Sequence, residues 1–285
     1  GPFEDDAGKS MILNVKTNSN SDLTYSSNDP AVATVDQSGN VTAIIAGTVE
    51  ITVSTKETSR YLANSTCVTV TVNRISSLIN VEDNLECDVN GTVQIIASSD
   101  NPGKFTYASC NESIATVDES GIVRGIIGGK VNITVSVAQT DKYLANSTNV
   151  TVTVNRLATI ITVNGPFEVD VDSQIALDVK TTGDGKLSYS SNDTNVAGVA
   201  NGIVSGITGG KAIVTVYSSE TDRYSANSTR VVITVNKVST QITFDEEPLS
   251  VDVNDTIKIN ANAEGELSYV SCNPSIATMT SRSKN

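Results

Sequence analysis

Apolar side chains recur at every second position in short runs broken by turn residues. Val169, Val171, Ile175, Leu177 and Val179 alternate with polar neighbours around a turn at Asp172–Ser173. That is the two-residue period of half-buried strands. The same pattern is set by Leu85, Cys87, Val89, Val93 and Ile95, and by Leu249, Val251, Val253, Ile257 and Ile259. In the run CVTVTV, Val68, Val70 and Val72 face one way while Thr69 and Thr71 face the other. Val32 and Val35 bracket a further short strand. Gly39, Gly121 and Gly202 fall where a hairpin needs positive φ. No stretch carries the helical period. With turn signals roughly every 8–12 positions, the pattern predicts about seven short strands per unit and an all-β, antiparallel sandwich.

The pattern is itself repeated. YLANSTCVTVTVNR at 61–74 returns as YLANSTNVTVTVNR at 143–156 and as YSANSTRVVITVNK at 224–237. Tyr61, Tyr143 and Tyr224 are 82 and 81 residues apart, and Tyr25, Tyr107, Tyr189 and Tyr269 keep the same period. Two markers on one period indicate tandem domains. The boundaries are drawn at 1–75, 76–157 and 158–238, with a partial repeat over 239–285. That half repeat keeps the first strands (SVDV, TIKINA, ELSYVSC) and an irregular SRSKN tail, but lacks the ANST phrase. The junctions NRISSLINV, NRLATIITV and NKVSTQITF carry no Gly/Ser or Pro-rich spacer, so the domains are expected to form a stiff, end-to-end array.

Composition narrows the function. Aromatics are 4% and Trp is absent, so the cores must be built from Val, Ile and Leu. The net charge of −13, without a basic block, argues against nucleic acid and anionic membrane surfaces. No apolar run approaches the ~18 residues of a membrane-spanning helix. The chain opens on Gly1 inside a repeat, with a Gly-Pro that recurs at 165–166 and so looks native, and it stops partway through another repeat. Both features are expected of a processed or partial piece of a longer protein, and the missing signal peptide says nothing against secretion.

Catalysis finds little support. There is no His, which excludes Ser-His-Asp and Cys-His machinery; the reading is a non-enzyme without a required cofactor. Calcium is the metal candidate because it takes carboxylate oxygens, and Asp170, Asp172, Asp252 and Asp255 cluster near repeat starts. A solvated outer face explains these acids equally well. Glycosylation sequons occur at Asn40, Asn64, Asn90, Asn111, Asn132, Asn146, Asn149, Asn192, Asn227 and Asn254. Asn64, Asn146 and Asn227, at the same place in each repeat, are the informative subset; the bland reading is that ANST only forms a turn. The four cysteines do not recur as a framework, so Cys87–Cys110 is a candidate disulfide beside the reading of free thiols.

The stretch YSSNDPAVATVDQSGNVTAIIAGTVEITVS, from Tyr25 onward, resembles the bacterial immunoglobulin-like group 2 repeat of invasin- and intimin-type surface proteins. Tyr25, Asn28, Val32, Val35, Asp36, Gly39, Val41 and Gly47 carry the likeness in the first unit, and Val117, Asp118, Gly121, Val123 and Gly129 in the second. The third unit departs, with Gly198 for Thr and Ala200 for Asp. The resemblance implies tandem immunoglobulin-like sandwiches at a microbial cell surface. The expected function is a structural stalk of an adhesin-like protein or extracellular fibre, with neighbouring domains and glycans as its partners. Two alternatives stand beside it. One is a filament subunit whose partial repeat is completed by strand addition from an identical chain. The other is a carbohydrate- or receptor-binding adhesin module.

Overall fold

The computed structural model describes residues 3–244 and 249–280. The Gly1-Pro2 pair and the SRSKN tail lie outside the described residues. Among the latter there is no helix.

The first repeat comprises β1 (Phe3–Asp6), β2 (Ser10–Ile12), β3 (Leu23–Ser27), β4 (Ala33–Val35), β5 (Asn40–Ala43), β6 (Gly47–Thr55) and β7 (Asn64–Asn73). They form a four-stranded sheet, β1-β7-β6-β3, and a three-stranded sheet, β2-β5-β4. The second repeat comprises β8 (Ile79–Val81), β9 (Leu85–Asp88), β10 (Thr92–Gln94), β11 (Ala97–Ser99), β12 (Phe105–Ser109), β13 (Ala115–Val117), β14 (Ile122–Gly125), β15 (Gly129–Val137) and β16 (Asn146–Asn155). Its sheets, β9-β16-β15-β12 and β10-β14-β13, reproduce the first repeat, and β8 pairs with β11 as an addition. The third repeat runs through β17 (Ile161–Asn164), β18 (Glu168–Asp170), β19 (Gln174–Ala176), β20 (Asp178–Thr181), β21 (Leu187–Ser191), β22 (Ala197–Ala200), β23 (Ile203–Gly206), β24 (Gly210–Ser218) and β25 (Asn227–Asn236). It keeps the same order, with β17 paired to β20.

Two features differ from the sequence reading. The second and third repeats have nine strands each, because a two-stranded pair, β8 with β11 and β17 with β20, is added to the seven of the first; in every repeat the opening alternating run is divided between sheets. β18 joins the four-stranded sheet and β19 the three-stranded one. The crossing is a tight turn in which Ser173 N–H donates to the Asp170 carbonyl at 3.1 Å, with Asp172 at φ 61°. Asn and Asp tolerate that left-handed conformation because their short polar side chains bond locally. In addition, one pairing per sandwich is parallel, β9 with β16 for example, because the repeat's entering and closing strands run the same way. Period-two alternation is the same in parallel and antiparallel strands, so the pattern cannot distinguish them.

Each core lies between its two sheets. In the second repeat Val131, Ile133, Val135, Val150, Val152 and Val154 face Ala115 and Val123 across the interior, all 5% exposed or less. Fully burying such a side chain contributes about 1.5–3 kcal/mol, which is how a sandwich without Trp holds together.

The chain divides into two compact units. One contains Gly1–Ile160 with Thr182–Gly185 and Ser219–Asn227; the other contains Ile161–Thr181, Lys186–Ser218 and Ser228–Asn285. In the second unit, the strands expected at SVDV, TIKINA and ELSYVSC do not form. Among its described residues the half repeat holds only β26 (Thr243–Phe244) paired with β27 (Ala261–Asn262). Its local turns are nonetheless made: Asp255 N–H donates to the Asp252 carbonyl at 3.0 Å, with Asn254 at φ 68°. Val253 and Val270 stand 91% and 86% exposed. A turn needs only its own four residues, whereas a strand needs partner strands for its backbone groups.

Candidate functional site

Where one repeat hands over to the next, the linker is held by a recurring set of bonds. The site is built on the loop before the last strand of each sandwich. In the second repeat Thr140 N–H donates to the Tyr143 carbonyl at 3.0 Å, and Tyr143 N–H donates to Thr140 Oγ1 at 3.1 Å, shaping that loop. The incoming linker docks on it as a parallel bridge of Ile75 with Tyr143. Ile75 N–H donates to the Lys142 carbonyl at 3.0 Å, and Leu144 N–H donates to the Ile75 carbonyl at 2.9 Å. Arg74 Nε donates to the Thr140 carbonyl at 2.9 Å, and Asn146 Nδ2 donates to the Ser77 carbonyl at 2.7 Å. The buried Ser77 hydroxyl donates to the Leu144 carbonyl and accepts from Asn101 Nδ2.

The next junction repeats the linker bonds, though Gly183 stands where the first has Asn101, and all of its residues belong to the first compact unit. Arg156 Nε donates to the Thr221 carbonyl at 2.8 Å, Leu157 bridges Tyr224, and Asn227 Nδ2 donates to the Thr159 carbonyl at 2.5 Å. Arg156 also pairs with Glu220 at 3.3 Å. Loops reach across directly as well: Ala46 N–H donates to the Asp141 carbonyl at 2.8 Å, and Gly128 N–H donates to that of Asp222 at 2.6 Å.

The linker asparagines are therefore the sequon asparagines, singled out for a different role. The amide nitrogens of Asn146 and Asn227 are hydrogen-bond donors to the linker, while the side-chain oxygens of Asn64 and Asn146 alike accept from the next residue, from Ser65 N–H at 2.9 Å and from Ser147 N–H at 2.8 Å. Glycan attachment at any of the ten sequons stays a proposal. The linker role had one signal in the sequence: the Asn of ANST and the Ser or Thr of the junction recur together, at Ser77 with Asn146 and at Thr159 with Asn227. They lie 69 and 68 positions apart.

The calcium candidates are not drawn together. Asp170 and Asp172 lie at the turn between β18 and β19, Asp252 and Asp255 at the corresponding turn of the half repeat, and among the described residues no group of three or more Cys, Asp or Glu is placed to hold a metal ion. The candidate disulfide is corrected: all four cysteines are free. Cys87 lies on β9 and Cys110 follows β12, at opposite edges of a sheet with β16 and β15 between them. Three strand spacings amount to about 14 Å, far outside disulfide reach. Cys87 is buried and its thiol pKa is pushed up by that burial. Cys110 Sγ instead faces Thr134 Oγ1 at 3.7 Å.

Sheet order, core and junctions define a protein of tandem all-β immunoglobulin-like sandwiches. Residues 9–64 and 88–145 match the bacterial Ig-like domain (group 2), and these two segments are domains of that family. An uncharacterized protein of Clostridium acetobutylicum is 30% identical over 140 residues, covering 47% of this chain and 14% of its own length. Ice-binding protein 1 of Shewanella frigidimarina is 28% identical over 300 residues, covering 90% of this chain and 33% of its own. The chain thus spans a third or less of the length of the curated relatives it matches. Among solved structures, an intimin mutant of EHEC O157:H7 aligns with TM-score 0.23 and 25% identity, over 31% of this chain and 50% of that one. No helix among the described residues is long and apolar enough to cross a membrane.

Proposed function

We propose that the chain is a load-bearing segment of tandem immunoglobulin-like domains, a stalk of a microbial surface adhesin-like protein or of an extracellular fibre. The observation that carries it is the hydrogen-bonded junction, made twice with the same partners. A linker held at Arg74, Ile75 and Ser77 by the loop of the following repeat is built to pass tension and to limit bending. The membership of two repeats in the bacterial Ig-like group 2 family supports a surface or extracellular setting. So does their occurrence in much longer relatives, since a spacer is one part of a larger protein. A surface of charge −13 keeps such an array from self-collapse.

The test is single-molecule extension between the chain termini. Three separate unfolding events are expected, each adding roughly 24 nm of contour for a repeat of this size. A smooth extension without discrete events would remove the load-bearing role. Protease shaving of intact producer cells tests the location: peptides of the repeats should be released from the cell exterior.

A further inference from the structure

In each of the first three repeats the entering strand and the closing strand lie side by side and run the same way: β1 with β7, β9 with β16, and β18 with β25. The entering strand is the edge of its four-stranded sheet and is paired there with the closing strand alone. The pairing ends on the same bond three times. Ala7, Val89 and Val171 N–H donate to the Asn73, Asn155 and Asn236 carbonyls at 2.9, 2.9 and 3.0 Å.

In the second repeat the entering chain follows the closing one from the linker onward. Ile75 bridges Tyr143 in parallel, and Asn146 Nδ2 donates to the Ser77 carbonyl. Asp83 Oδ1 then accepts from Thr151 N–H at 2.7 Å, and Leu85–Asp88 runs beside Val152–Asn155. The partners stay 67 to 69 positions apart throughout. Asp83 stands just ahead of the ladder, so its carboxylate adds a charge-assisted bond at the end where the chain enters. The third repeat has Gly165 in that place.

This direction decides how the sandwich meets tension along the chain. Load that passes the linker bonds reaches β9 at Leu85 and leaves β16 at Asn155. In parallel strands those two points lie at opposite ends of the ladder, so the load slides one strand along the other. The four pairs from Leu85–Val152 to Asp88–Asn155 therefore share it. Were the two strands antiparallel, the same points would fall at one end, and the pairs would open singly. We propose that the parallel β9–β16 ladder, with Asp83 bonded to Thr151 at its entry, is the clamp that holds the second repeat shut under tension. The inference deepens the load-bearing reading by naming where the load is held, and rests on it. Failure requires the pairs to break together, which raises the barrier to forced unfolding without further contacts.

Single-molecule extension of the full chain in two pulling geometries tests this. The background is Cys67→Ser/Cys110→Ser/Cys272→Ser, which removes the exposed thiols and leaves the buried Cys87. In the first geometry the handles sit at the chain ends. In the second, the N-terminal handle moves to Asp88→Cys, an exposed side chain at the last pair of the ladder. Both strands are then pulled from the same end, and the ladder opens from Asp88–Asn155 backward. The second-repeat event is recognised there by its shorter contour gain, because residues 76–87 lie outside the loaded span. Its force is expected to fall at least about twofold, since one pair and not four bears the load at a time. Asp83→Ala should lower the force of one event in the end-to-end geometry. It should leave the second geometry unchanged, where Asp83 is loaded last. A residue that only stabilised the sandwich would shift both. Equal forces in the two geometries, or an Asp83→Ala effect of equal size in both, would overturn the proposal and leave the load-bearing reading standing. A smooth end-to-end extension without discrete events would remove both.

Discussion

The ring of Tyr107 lies directly against Gly121, 2.9 Å from where a β-carbon on that residue would stand. Gly121 is at φ 80°, and the same pair recurs as Gly39 over Tyr25 and Gly202 over Tyr189. The hairpin glycine and the repeat tyrosine thus form one packing unit in each sandwich. Gly121→Ala places a side chain both in the left-handed region and against the ring. The expected loss is about 2 kcal/mol of second-repeat stability, read as a lower denaturation midpoint at unchanged slope. An unchanged midpoint would show that the ring moves aside freely.

Asn146 fastens the linker at Ser77. Asn146→Ala removes the donor and leaves the Ser77 carbonyl without it, at an expected cost of about 1–2 kcal/mol. Hydrogen exchange should accelerate locally at residues 74–78 while the β15 and β16 amides stay protected. Uniform acceleration across the second repeat would place the residue in the core's stability and not in the junction.

Sequon occupancy should follow the same bonds. Asn64 is expected to be modified ahead of Asn146 and Asn227, whose amide nitrogens donate to linker carbonyls. Glycopeptide mass spectrometry of the folded chain from a glycosylating host reads this directly, and equal occupancy at all three would refute it.

The cysteines should separate by reactivity. Cys67, Cys110 and Cys272 are exposed, whereas Cys87 is buried with its thiol pKa raised. Iodoacetamide on the native chain is expected to add three carbamidomethyl groups, and the fourth only in denaturant. Native labelling of Cys87 at the rate of the others would contradict its burial.

Asp83 ties the first strand of the second sandwich to the last: its Oδ1 accepts from Thr151 N–H at 2.7 Å, one position before the β9–β16 ladder begins. That backbone bond, with a second from Asn84, holds its carboxyl below the usual value. A depressed folded pKa stabilises above the unfolded pKa near 4, and that stabilisation disappears as pH falls through the folded value. Asp83→Asn should therefore lower second-repeat stability at pH 7 and flatten its dependence on pH below 4, the difference from the wild-type chain closing as the pH falls. A parallel offset at all pH values would indicate lost geometry, not lost charge.

Much of the fold was legible because it is local. The positive-φ glycines, the hairpins they close and the 82-residue period all follow from side chains a few positions apart. The acids at 170 and 172 were legible as a turn, and the structure makes that turn's backbone bonds. The Cys87–Cys110 pairing failed because strand order, unlike strand position, is set by contacts between residues far apart in sequence. The same distance hid the linker anchor, since Ser77 and Asn146 meet only once β16 has folded back on β9.

The half repeat separates the two levels within one chain. Its sequence alone determined the turn at Asp252–Asp255, whose backbone bond and left-handed Asn254 form without help from neighbours. Its strands carry the same alternation as those of the complete repeats, yet they do not form there. A strand's backbone groups and apolar face must be satisfied by other strands, and those partners exist only where the tertiary structure supplies them.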